Sequence, residues 1–222
     1  AAFAAELEKA IPENASAVLF LNYSKDKFYE KSVKFFNQIA ALEDKKETDA
    51  LREKMGIAFN DPVFLASISG VAAVYFDDMK KQPLSTQEVP LAIVLKMANK
   101  EAFMINLQNF KAAVSKDSPD NEYSLFVRKD SIEVEIVERK DKTEHFAFVV
   151  VDDLLIGGFG AKTAVNSINR VLNVIKKGEG GIDGSSNYKQ ALSAISADVP
   201  VYFYLDGAFV KKYAAEESLL PD

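Results

Sequence analysis

Four apolar segments in close succession constrain this chain more than any other feature. Tyr123 to Arg128, Ser131 to Glu138, Glu144 to Val151 and Leu154 to Gly157 are joined at Lys129-Asp130, at Arg139 to Thr143 and at Asp152-Asp153. A parallel crossover needs a dozen residues or more, so connections this short permit only antiparallel hairpins. In the second segment Ile132, Val134 and Ile136 alternate with Glu133 and Glu135, which predicts one buried and one wet face. The third segment differs. Phe146, Phe148 and Val150 line one face, while His145, Ala147, Val149 and Val151 make the opposite face mildly apolar.

Elsewhere, Ala17 to Tyr23, Val71 to Phe76, Leu91 to Met97 and Val201 to Leu205 are apolar runs of strand length. Val71 to Phe76 and Leu91 to Met97 are apolar on both faces, which predicts central strands. Helices are predicted from Lys25 to Leu42 after Ser24, from about Thr48 to Met55 before Gly56, from Lys100 to about Ser115 after Asn99, and from Ala161 to Lys176. The glycine-rich segment Gly178 to Gly184 reads as the most flexible stretch. The expectation is an α+β fold, with an antiparallel sheet of about six to seven strands carrying its helices mainly on one face.

An earlier pattern also returns near the end of the chain. The pattern of Ile11 to Phe28, IPENASAVLFLNYSKDKF, returns in Ile195 to Phe209, ISADVPVYFYLDGAF, at a shift of 184 residues. Short helix, isoleucine, turn, apolar strand and second helix follow in the same order, and Asn22 falls on Asp206. Residues 1–184 then form an α+β module. Residues 185–222 are either the start of a second copy or the closing strand and helix of the same domain.

Composition excludes several function classes. A net charge of −6 and a pI near 5.0 give no basic stripe for nucleic acid. With no cysteine there is no disulfide, thiol nucleophile or zinc-thiolate site. No apolar run has the roughly 18 residues of a membrane span, since Phe146 to Phe159 is interrupted by Asp152-Asp153.

Five segments together resemble the bacterial domain-of-unknown-function family 3352. They are the opening IPENASAVLFLN, then MGIAFNDPVFLASISGVAAVYF, VPLAIVLKMANKEAF, FVVVDDLLIGGFG, and GSSNYKQALSAI leading to VPVYFYLD. The resemblance covers nearly the whole chain. It implies a secreted or membrane-anchored envelope protein, hence an extracytoplasmic location. That family carries no established catalytic residues, so the resemblance transfers no site.

No motif for chemistry is complete in the sequence. Gly157-Gly158-Phe159-Gly160-Ala161-Lys162-Thr163 lies between strand and helix, but Ala161 interrupts the Gly-Lys-Ser/Thr of a phosphate loop, and the strand belongs to a hairpin. His145 is the single histidine and sits at a hairpin edge, where a structural role is the simpler account. Ser67-Ile68-Ser69-Gly70 lacks the first glycine of a nucleophile elbow. The acidic groups Asp77-Asp78, Asp152-Asp153, and Asp117, Asp120, Asn121 and Glu122 do not follow a calcium-loop spacing and read as turns. Neither catalytic residues, nor a metal site, nor a cofactor is expected.

Two surfaces remain as candidates. Phe28, Phe35, Phe36, Phe103, Phe110, Phe146 and Phe148 could form one layer between helices and sheet, either as core or as the lining for an apolar ligand such as a lipid. Ala147, Val149 and Val151 could form a face for a protein partner or for further copies of the chain. The expected function is thus a non-catalytic envelope module for protein interaction or scaffolding. The alternative is a carrier or sensor of an apolar ligand.

Overall fold

A computed structural model of the chain describes residues 5–42, 62–77, 79, 90–117, 121–127, 131–139, 145–160, 163–195 and 199–217. Within them lie α1 (Ala5–Glu8), β1 (Ala17–Asn22), α2 (Lys25–Leu42), α3 (Pro62–Ser67), β2 (Ile68–Phe76), β3 (Leu91–Met97), α4 (Lys100–Asp117) and β4 (Asn121–Val127). They continue with β5 (Glu133–Arg139), β6 (His145–Val151), β7 (Leu154–Phe159), α5 (Ala164–Lys177), a short 3-10 turn (Ile182–Gly184), α6 (Ser186–Ser193), β8 (Val201–Leu205) and α7 (Gly207–Glu217). The helix expected between Thr48 and Met55 lies outside the described residues.

The expected α+β class with an antiparallel sheet is what the chain adopts. All eight strand-length runs join one sheet, in the order β4-β5-β6-β7-β3-β2-β1-β8. The β4 to β7 stretch is the hairpin ladder that its short turns dictate, and β7 then pairs with β3 rather than ending the sheet. β2 and β3 are interior, as their two apolar faces require.

The helices do not gather mainly on one face; they divide between both. On one face α5 lies across β7, β6 and β3, with α1 and α6 beside it. Its inward stripe of Ala164, Ser167, Ile168, Val171 and Leu172 meets Val18, Phe20, Ala73, Tyr75, Ala92, Val94, Ala147, Val149 and Ile156. On the other face Phe28 of α2, Phe64 of α3 and Phe103 and Leu107 of α4 pack with Ile68, Leu95, Met97, Val150 and Leu155. The physical reason is the sheet itself. β2, β3, β6 and β7 are apolar on both faces, so one helical layer would leave half of that surface in water, at roughly 25 cal/mol for each Å².

Two glycines set how closely the helices approach. A Cβ on Gly158 would lie 2.3 Å from the carbonyl oxygen of Ala164, so only glycine lets the first turn of α5 rest on β7. Gly70 has φ of +86°, and a Cβ there would lie 2.6 Å from Cβ of Phe28. Asn99 caps α4 as expected, its side-chain oxygen accepting from Ala102 N–H at 3.0 Å.

The glycine-rich segment is pinned instead of free. Gly180 accepts from Glu13 N–H at 2.9 Å, Ile182 N–H donates to the Ile11 carbonyl at 2.8 Å, and the Ile182 side chain is fully buried. Its glycines serve a left-handed helix end at Gly178 and a close approach of Gly181 to Lys9.

Candidate functional site

Among the described residues, three places bring polar groups into burial or leave apolar groups exposed. The first lies under α5. Asp77 follows β2 at its end, where the chain leaves the sheet, yet it is almost wholly buried. Its carboxylate pairs with the Arg170 guanidinium and accepts from the Ser167 hydroxyl at 3.1 Å. Arg170 also donates to the side-chain oxygen of Asn14, and the Tyr75 hydroxyl donates to the Ser167 carbonyl at 3.3 Å. Burial, then the Asp77 charge, push the Tyr75 phenol well above its ordinary range. Arginine and the serine hydroxyl together neutralise and solvate the buried carboxylate, which is what lets such a group sit in a core.

The second joins both ends of the chain. Oε1 of Glu8 accepts from the hydroxyls of Tyr188 on α6 and Tyr202 on β8, at 2.9 and 2.8 Å. Tyr202 stacks on Phe20 with ring centroids 4.8 Å apart, and Tyr188 meets Tyr204 edge-on at 5.2 Å. Burial raises both the Tyr188 and Tyr202 phenols above the tyrosine range, so they act as proton donors and not as bases.

The third is the outer strand. Among the described residues β8 is hydrogen-bonded only to β1 and is the last strand of the sheet. Tyr202 and Tyr204 point into the core, so Val201, Phe203 and Leu205 point to the other face, where they are 39%, 55% and 43% exposed. Val210 on α7 is 42% exposed beside them in sequence. Within Val201–Leu205 this strand carries no lysine, proline or bulge, the usual protections of an edge strand, and its outer edge is unpaired among the described residues.

The expected partner face at Ala147, Val149 and Val151 is corrected. Ala147 and Val149 are buried beneath α5, and half-buried Val151 packs against the same core, so these residues do not form an open face. Their mild apolarity is that of a strand covered on both sides. Among the phenylalanines, Phe28 and Phe103 share the α2-α3-α4 face with Phe146 and Phe148. Phe28 and Phe103 belong to the cluster with Phe64, whereas Phe146 stacks on Phe148 at 5.4 Å and on Phe159 at 4.9 Å. The side chains of Phe35, Phe36 and Phe110 lie outside the described residues.

His145 opens β6 opposite Glu138. Ser67 is buried with its hydroxyl donating to the Phe64 carbonyl at 2.6 Å, a local structural bond. β7 runs antiparallel to both neighbours, unlike the parallel strand that precedes a phosphate loop. Asp152 and Asp153 form the exposed β6-β7 turn, Asp152 with φ of 52°, and Lys96 lies 3.6 Å from Asp153 while also pairing with Glu6. Among the described residues no group of three or more acidic or histidine side chains is placed to hold a metal ion. No helix among them is long and apolar enough to cross a membrane.

No family model, no curated protein and no solved structure matches this chain.

Proposed function

We propose that the chain is a non-catalytic module for protein interaction or scaffolding, that it works outside the cytoplasm, and that β8 is its docking strand. The observation that carries this reading is the exposure of Val201, Phe203 and Leu205 on a strand whose outer edge is unpaired among the described residues. Such an edge binds an extended segment through main-chain hydrogen bonds, with side-chain pockets supplying selectivity. The polar groups away from β8 serve the fold: the Asp77 carboxylate is spent on Arg170 and Ser167, and Glu8 on two tyrosines. The extracytoplasmic location rests on the resemblance in sequence to the envelope family.

In this reading the helix-strand-helix unit α6-β8-α7 restates α1-β1-α2. Its support is a coincidence between sequence and pairing. The 184-residue shift that aligns the two segments carries Leu19 onto Phe203, and Leu19 is opposite Phe203 in the antiparallel β1-β8 pair. Ala17 and Leu21 map onto Val201 and Leu205, and each lies opposite the other's counterpart. Two strands related in this way are exchanged by a local two-fold axis through the Leu19/Phe203 pair.

The test is photocrosslinking in the producing cell. A photoreactive residue at Phe203 is expected to form a protein adduct, whereas one at exposed Lys100 on α4 is not. Absence of any adduct at 203, with the protein folded and present in the envelope fraction, would overturn the docking role. Recovery in the cytoplasmic fraction alone would overturn the location.

A further inference from the structure

The local two-fold that relates β1 to β8 also states what is missing beside β8. β1 has two neighbours: β8 on one edge and β2 on the other. Apply the axis, and β8 has β1 on one edge and, among the described residues, no strand in the β2-type place on the other. We infer that this edge receives the β2 strand of a second module of the same fold, for which β8 takes the place of β1. The inference rests on the docking role proposed for β8 and goes further by naming the occupant, its direction and its register.

The residues fit this occupant. β1 pairs with β2 antiparallel, with Ala17 opposite Phe76, Leu19 opposite Val74 and Leu21 opposite Ala72. Carried over by the axis, Val201 would face the Phe76 position, Phe203 the Val74 position and Leu205 the Ala72 position. These are the three side chains on β8 that are left exposed. Neither strand carries a charge, so the pairing sets no like charges opposite one another. On the side of β2 that α2 covers, Phe28 of that helix sits against Gly70. The two-fold counterpart of α2 is α7, where Val210 is exposed.

The experiment uses the 222-residue chain and a synthetic copy of Ser69 to Asp77 flanked by lysines for solubility. Saturable binding is expected, lost at least tenfold in the Phe203→Lys variant and unchanged in Ile105→Lys, which alters an exposed residue on α4. Because the chain has no cysteine, Phe203→Cys introduces a single thiol. It should form a disulfide with a peptide carrying cysteine at the Val74 position, and much less with one at the Ala73 position, which points to the opposite face. A peptide that fails to bind, that binds Phe203→Lys equally well, or that crosslinks without positional preference overturns the inference. So does a Phe203→Cys chain that links to its own copy in preference to the peptide. If residue 203 captures a protein in the cell while the β2 peptide does not bind, the occupant is wrong and the docking role stands. If neither occurs, both fall.

Discussion

β1 and β8 are adjacent, antiparallel and similar in pattern, yet they have opposite fates. β1 is enclosed: Val18 and Phe20 are fully buried beneath the α5 face, and both of its edges are paired. β8 contributes Tyr202 and Tyr204 to the same core but leaves every other side chain in water. Alternation fixes which residues share a face. It does not fix whether a second layer arrives to cover that face. Among the described residues, the difference between the strands is one of neighbours.

The contrast can be broken most strongly at its buried end. Phe20→Ala should lower stability by about 3 to 5 kcal/mol, because it removes a ring packed between Tyr188 and Tyr202 and leaves a cavity. Urea denaturation measures this, and a loss below about 1 kcal/mol would mean that β1 is no better covered than β8.

Next in size is the polar anchor beside the start of β1. Arg170→Met should cost about 2 to 3 kcal/mol, since Asp77 would keep its burial and its Ser167 bond but lose its counter-charge. The same denaturation series reads it, and Arg170→Lys should restore only part of the loss, because lysine cannot serve Asp77 and Asn14 with a planar fork.

The seam between the strands can be probed by pH. Tyr188 and Tyr202 titrate above the usual tyrosine value in the folded chain, chiefly through burial. On raising the pH through about 10, phenols of the unfolded chain ionise first. Stability is therefore fully present below that pH and falls above it. Tyr202→Phe should make the alkaline fall shallower, as seen in denaturation midpoints between about pH 8 and 12. An unchanged slope would mean that the hydroxyl is solvated and the seam open.

The smallest effect belongs to the exposed end. Phe203→Lys should change stability by no more than about 0.5 kcal/mol, as for other surface positions. A much larger loss would show that β8 is enclosed after all, and the comparison with β1 would fail.

Much of the sheet was legible in the residues. Turns of two residues force hairpins, and runs apolar on both faces announce central strands, so β2, β3 and the β4-β7 ladder follow from local pattern. Ala147, Val149 and Val151 illustrate the limit. Their apolarity is visible, but a helix stripe such as that of α5 carries no label saying which sheet face it will cover. Asp77 illustrates another: adjacent acidic residues usually mean a turn, and the groups that bury this one are distant in sequence, at Asn14, Ser167 and Arg170. The only local signal was its place directly after an uninterrupted apolar strand.

By itself, the amino-acid order determined the antiparallel pairing, the faces of each strand and helix, and the absence of thiol chemistry, because these depend on spacing and residue type over a few positions. Tertiary structure alone decided that helices occupy both faces, that a carboxylate could be carried into the core, and that β8 rather than β6 is left uncovered. Those outcomes depend on which distant surfaces meet, and burial is shared between partners that no local pattern names.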